Sequence, residues 1–386
     1  MSLWPLIARN AWRNRLRTSL TVLGLAVAIM AYGLLNTVVE AWYASADASA
    51  STRLVTRSAI AITYPLPLTH ASRIRDVPGV AALTWLTWFG GSYGDNRQPF
   101  AKIAVDAASY FRVYPEYRLK AEDQRAFEQD RQGAVIGPKL AATFGLQVGD
   151  VMPIRGDRFS GNWRFTVRGI YQPRDDKADD ALMFVHWDLL SDTLRARTGN
   201  GLPDQVGVYV VGIDDAAQAV PVSARIDALF RDSPAVTRTE TERAYQLSIV
   251  AMSRNIILSL QLVSVGLIVI IMAVMTNTMT MSANERLVEY ATLKALGFTP
   301  AHVAGLLLGE SLLIVLLGAA LGVACTYPAS AWLVSAVGSL VRGFYVAPAT
   351  LAAQLGAALL VGLVAAAWPA WVMSRLNVAR ALRAAA

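Results

Sequence analysis

A chain of 386 residues that is 54% apolar and only 16% charged, with a mean hydropathy of +0.39, is not an ordinary soluble globular protein. Its net charge of +7 is unevenly placed: basic and acidic residues balance across residues 43–250, so the whole excess lies in the more apolar remainder. Cations at the ends of apolar runs, rather than on a soluble face, give no footing to a nucleic-acid partner and point to an integral membrane protein.

Residues 1–17 set Leu3, Trp4, Leu6, Ile7 and Trp12 among Arg9, Arg13, Arg15 and Arg17. That composition suits an amphipathic helix lying on membrane lipid, with its indoles at headgroup depth. From Thr18 to Val39 there is no charge, and a helix through the hydrocarbon core takes roughly 20 residues. The run is too long for the apolar region of a signal peptide, so residues 18–42 read as an uncleaved first span.

Residues 43–250 have the composition of a soluble domain large enough to bury a core. Strands are expected over residues 58–63, 80–88, 205–211 and 235–239, with helices over 70–76 and 215–230, so a strand–helix–strand unit stands at each end of the segment. In between, over about residues 110–200, Gly137 and Pro138 open a short helix to Phe144, and Gly149-Asp150 turn the chain into a further strand. RFTVRGIYQ alternates as a strand, a charged loop covers residues 173–180, and ALMFVHWDLL returns to the core. Residues 239–255, with Tyr245, Ile249 and Met252 at helical spacing, read as one helix running into the second span.

Beyond Arg254 no charge occurs before Glu285, and after Glu310 none occurs before Arg342. Further spans are therefore expected over residues 251–281, 301–337 and 349–373, with an outer connection at 338–348 and a tail at 374–386. Pro328 is expected to interrupt or bend the third span, and the small residues of the fourth suit close helix packing. Residues 282–300 are a charged island between spans. Leu287, Ala291, Lys294 and Ala295 fall at helical spacing, and Gly297 stands where a helix would stop. A short amphipathic helix on the membrane face is expected, the other reading being a solvated loop. With four spans, Arg9, Arg13, Arg15, Arg17, Arg286, Lys294, Arg375, Arg380 and Arg383 share one side, which the positive-inside rule makes cytoplasmic.

ERLVEYATLKALG, residues 285–297, resembles the E-R-x-x-E-[IY]-x-x-L-[KR]-A-[LI]-G segment of the MacB/FtsX-like permeases, the membrane subunits of ABC transporters. ARNAWRNRLRTSLTVLG, residues 8–24, is similar to that family's N-terminal elbow and first span. VIGPKLAATFGLQVGD and FTVRGIY resemble its extracytoplasmic domain, and SRLNVARALR resembles its ending, with Val378 where proline is common.

The resemblance implies a fold of four transmembrane helices plus an N-terminal interfacial helix, with a large α+β extracytoplasmic domain between helices 1 and 2. Residues 110–200 would be an inserted sub-domain of that domain. It implies that Glu285, Arg286, Glu289, Tyr290, Leu293, Lys294, Leu296 and Gly297 form the helix that docks into a separate ABC ATPase subunit. ATP and Mg would be bound by that subunit, with no cofactor on this chain. It further implies the bacterial inner membrane, a second permease protomer in a homodimer, and a periplasmic adaptor or outer-membrane partner. The activity implied is mechanotransmission, for export from the periplasm. The alternatives are an FtsX-like regulator of a cell-wall hydrolase and a lipoprotein-extracting permease.

The residues themselves offer no competing chemistry. There is no G-x-x-x-x-G-K-[ST] loop to cradle phosphates and no G-x-S-x-G elbow, which fits a non-catalytic subunit. His70, His186 and His302 are scattered, so no metal site is expected. Asp175, Asp176, Asp179 and Asp180 around Lys177 lack the glycine and glutamate of a calcium loop and read as a solvated turn. The single cysteine, Cys325, reads as a small core residue. Glu310 lies within an apolar helix, at a cost of order 2.5–3.5 kcal/mol at mid-bilayer. It sits in GESLLI, a pattern frequent in that family's third span, and reads as a packing or coupling residue in preference to a substrate-binding one.

Overall fold

In hydrocarbon every backbone N–H and C=O has to find its partner within its own segment, and each long uncharged run accordingly forms one helix. In the computed structural model these are Arg15–Asp47, Arg254–Glu285, Pro300–Val337 and Pro348–Ser374, all long and apolar enough to cross a membrane. The structure describes residues 9, 12–94, 100–175, 178–198, 204–337 and 346–375. Outside the described residues lie most of the expected interfacial helix (1–8, 10 and 11), most of the outer connection (338–345), the tail from 376 onward, and Asp176 and Lys177 of the acidic loop.

Three expectations about the helices change. The first helix begins at Arg15, so Arg15 and Arg17 belong to it, not to a separate N-terminal segment; Thr18 N–H already bonds the Asn14 carbonyl at 3.0 Å. Pro328 does not interrupt the third helix, although it cannot donate the usual bond to the carbonyl four residues back. Residues 239–255 are not one helix. A strand runs to Thr241, the Thr241 hydroxyl caps the helix Glu242–Met252, and Ser253 breaks the run before Arg254.

The described chain divides into two compact units, the four-helix bundle and residues 41–253. In the bundle, Leu25 and Ile29 of the first helix, Ile271 and Met275 of the second, Val315 of the third and Val361 of the fourth share one buried cluster. The first and third helices come into backbone contact because position 322 is glycine: a Cβ there would lie 2.7 Å from the Ala26 carbonyl oxygen.

The other unit is built on a ten-stranded mixed sheet. Its order is Thr237–Thr241, Arg53–Ser58, Val208–Gly212, Ala82–Trp88, Lys102–Val105, Met183–His186, Gly133–Ile136, Gly161–Ile170, Val151–Gly156 and Ser92–Tyr93. The strands of the two terminal strand–helix–strand units alternate, so each unit pairs with the other and neither forms a sheet alone. Strands drawn from residues 110–200 continue this same sheet, entering it where Met183–His186 pairs in parallel with Lys102–Val105.

The first strand was expected at 58–63 and lies instead at Arg53–Ser58, with all six residues buried. Two arginines disguise it. Arg53 is held by Glu116 at 2.7 Å and Glu242 at 2.8 Å, and Arg57 by Glu240 at 2.8 Å, while the apolar Ile60 beyond the strand is exposed.

Lys102 is a third buried cation in this sheet. Its ammonium donates to the Gly91 carbonyl (2.9 Å) and the Phe100 carbonyl (3.1 Å) and lies over the Phe100 ring. Burial pushes the group down to about 8. Between that pH and the ordinary lysine value near 10.4, the unfolded chain holds a proton that the folded chain has shed, so stability rises with pH by roughly 3 kcal/mol across the interval. Thermal melts of the full-length protein in detergent should show this rise from pH 8 to pH 10 relative to a Lys102→Met variant. Parallel pH profiles for the two proteins would contradict it.

Candidate coupling site

The charged island is shorter than expected: residues 282–285 belong to the second transmembrane helix and Pro300 to the third, and between them lies the helix Leu287–Ala295. Arg286 separates it from the second transmembrane helix by leaving helical geometry, with φ −108° and ψ 15°. At the other end Gly297 takes φ +96°, a conformation that only glycine enters without strain. Phe298 N–H then bonds the Leu293 carbonyl and Gly297 N–H the Lys294 carbonyl, both at 3.1 Å. This pair of bonds satisfies carbonyls that the helix end would leave bare.

One face of the helix is fixed to the bundle. Tyr290 is buried with Ala283, Val303, Leu307, Ala370 and Met373, Leu287 and Leu293 pack against the same cluster, and Ala291 is buried beside Tyr290. Burial pushes the Tyr290 phenol up to about 12. The charged residues make the remaining ties. Arg286 and Glu310 are each 6% exposed, and Arg286 Nη1 donates to Glu310 Oε2 at 2.8 Å. Arg17 grips Glu285 with both terminal nitrogens, at 2.8 and 2.7 Å, and Arg13 pairs with Glu289. Lys294 Nζ donates to the Ser374 carbonyl at the end of the fourth helix, at 2.8 Å. A cleft of about 140 Å³ lies among these groups, lined in part by Arg13, Arg17, Ser282, Glu285, Arg286 and Glu310.

The residues picked out from the sequence therefore divide. Arg286, Tyr290 and Glu310 are buried and present no surface. Glu285 and Glu289 are exposed but occupied by arginines of the chain's N-terminal region, and Leu293 and Lys294 are half-buried against the bundle. Leu296, at 73% exposure, and Gly297 remain open. Val288, Thr292 and Phe298 join them on the exposed side. The motif does not mark Val288, which falls on one of its open positions, or Phe298, which lies just past its closing glycine. The sequence places Arg13 and Arg17 in an interfacial helix on the cytoplasmic side, and the structure pairs them with the two glutamates, four residues apart. An apolar stripe flanked by fixed charges can be covered by a partner without breaking the ties beneath it.

Residues 262–378 match the model of the FtsX-like permease C-terminal region, and residues 18–229 match that of the MacB-like periplasmic core domain. An uncharacterised ABC transporter permease protein of Mycobacterium tuberculosis is 24% identical over 215 residues, which are 55% of this chain and 24% of that protein. The chain thus spans about a quarter of the length of this curated relative. Among solved structures, the extracellular domain of the ABC-type transporter YknZ from Gram-positive bacteria aligns at 12% identity with a TM-score of 0.37, covering 49% of this chain and 100% of that one. The periplasmic region of MacB from Actinobacillus actinomycetemcomitans aligns at 11% identity with a TM-score of 0.38, covering 53% and 94%.

Removing one partner of a buried ion pair strands the other and costs about 3–5 kcal/mol, whereas replacing both by apolar residues costs far less. Arg286→Met and Glu310→Met should each lower the detergent melting temperature of the full-length protein, and the double variant should recover most of the loss. If the double variant is as unstable as the sum of the single ones, the two side chains are not acting as a pair.

Proposed function

Because the chain belongs to the FtsX-like permeases and carries their MacB-like periplasmic core domain, we propose that it is the transmembrane subunit of a MacB-type ABC transporter in the bacterial inner membrane. It is a membrane protein with an extracytoplasmic domain. On this reading a separate ATPase binds ATP and Mg, this chain catalyses nothing, and a second permease protomer completes the complex. ATP-driven closure of the ATPase pushes on Leu287–Ala295. The push passes to the extracytoplasmic domain as motion of the helices, for export from the periplasm with an adaptor or outer-membrane partner.

The observation that carries this reading is the division of the coupling helix into a fixed face and an open one. A helix that merely connected two spans would not need a buried ion pair, two further arginine–glutamate pairs and a lysine tie. A helix that receives force does, because any looseness between it and the spans would absorb the displacement. Its opposite side leaves Val288, Thr292, Leu296 and Phe298 in solvent, where apolar side chains serve best if something covers them.

Within the extracytoplasmic unit the two chain segments that lead to the first and second spans are tied together. Arg53–Ser58 pairs with Thr237–Thr241. Glu242 Oε2, at the start of the following helix, accepts from Ala50 N–H (2.9 Å) and Arg53 Nε (2.8 Å).

Full-length protein purified in mild detergent from its own cells should carry a stoichiometric ATPase with a phosphate-binding loop. The Val288→Asp, Leu296→Asp double variant should retain at least tenfold less of it while remaining folded and inserted, and Arg13→Gln should retain nearly all. Wild-type protein that purifies free of any such ATPase would contradict the reading, as would full retention by the aspartate variant.

A further inference from the structure

The bundle buries a polar node that the coupling site does not use. Gln354 of the fourth helix is fully buried, and its amide nitrogen spends both protons on other helices. Nε2 donates to the Ile29 carbonyl of the first helix at 2.9 Å and to the Thr326 hydroxyl of the third at 2.9 Å. Thr326, also fully buried, hands its own proton to the Gly322 carbonyl at 2.8 Å. The amide has room only because position 33 is glycine: a Cβ there would fall 1.9 Å from Nε2. One turn away Thr350 Oγ1 donates to Glu40 Oε2 of the first helix at 2.7 Å, and residues four apart share a helix face. The first, third and fourth helices are thus joined by bonds, and the buried polar atoms of Gln354 and Thr326 have no water to turn to if they part.

The second helix differs along the same stretch. The hydroxyls of Ser264, Thr276, Thr278 and Thr280 all turn back to carbonyls four residues earlier on their own helix. Ile268, Ile271 and Met275 meet the other helices through apolar contact. Among the described residues, its polar ties to the other helices lie at its coupling end, where Glu285 meets Arg17 and the adjoining Arg286 meets Glu310.

From this contrast we infer that Gln354 is a positioning residue, which fixes the first, third and fourth helices as one body and leaves the second as the element that moves. The inference rests on the mechanical reading proposed above. A push on the coupling helix then pivots the second helix about its ion-paired end, since apolar surfaces slide past one another where hydrogen-bonded ones do not.

Electron–electron distance measurements on spin-labelled, full-length protein in lipid nanodiscs, diluted with unlabelled chain, test this without any ATPase in the sample. In a Cys325→Ala background, labels introduced by Val27→Cys and Leu355→Cys report on the first and fourth helices, and labels introduced by Leu262→Cys and Leu355→Cys on the second and fourth; all three positions are exposed. The first pair should give a narrow distribution and the second a broader one. Gln354→Leu should raise the population outside the narrow peak about threefold to fifteenfold, the range that a cross-helix polar bond in a membrane supports, and should leave the second pair unchanged. Thr326→Val, which removes one acceptor, should do the same to a smaller degree and serves if Gln354→Leu does not fold. Equal widths for the two pairs in the parent protein, or variants that broaden both pairs or neither, would overturn the assignment. The ATPase-retention experiment would stand or fall separately.

Discussion

The ion pair between Arg286 and Glu310 constrains the whole coupling end of the bundle. A glutamate within an apolar helix is tolerated only when something neutralises it, and the guanidinium that does so is itself almost fully buried, so neither can leave without stranding the other. Pairing the two fixes where the chain must turn after the second helix, because Arg286 has to reach the third. The break at Arg286 and the burial of Tyr290 follow from that placement. The more exposed pairs, Arg17 with Glu285 and Arg13 with Glu289, add little energy in solvent. What they add is register: they bind the end of the second helix and the start of the coupling helix to the N-terminal end of the first.

The extracytoplasmic unit solves a comparable problem with the same chemistry. Arg53 is buried between Glu116 and Glu242 and lies over the Tyr114 ring, 4.3 Å from its centre. It sits at the start of a strand whose neighbour, Thr237–Thr241, runs directly into the helix that Glu242 opens. Both ends of the domain's chain are therefore fastened in one place. The interleaving of the two terminal strand–helix–strand units extends the fastening into the sheet, since displacing one unit's strands means displacing those of the other.

The sequence displayed the four spans and the coupling helix plainly because both depend on local signals: long uncharged runs, helical spacing, and a glycine at the position that needs a positive φ. It also displayed the helix at Pro138–Phe144 and the long strand Gly161–Ile170, where alternation is clean. It concealed whatever depends on distant partners. The strand Arg53–Ser58 carries two arginines, and only Glu116, Glu240 and Glu242, far along the chain, make its burial affordable. Residues 58–63 looked more like a strand, and of these Ser58 alone lies in one. The break at Ser253 follows a run of helix formers and has no local signature. At the proposed coupling site, residue type alone could not separate the charges that hold the helix from the apolar side chains that it presents. Gln354 gave no signal at all, since a lone glutamine in a span reveals its role only when Ile29, Gly33 and Thr326 are seen around it.

The central claim is that Leu287–Ala295 is a rigid part of the bundle, and amide hydrogen exchange of the full-length protein in nanodiscs tests it most directly. If the helix is locked by Arg286 and Glu310, the amides toward its C-terminal end, which are bonded within it, exchange as slowly as those of the adjoining membrane helices. In Glu310→Met, where the guanidinium is left buried and alone, they exchange more than about a hundredfold faster, the factor that corresponds to about 3 kcal/mol. Exchange in the wild type at the rate of a freely fraying surface helix, or protection untouched by Glu310→Met, would contradict the account.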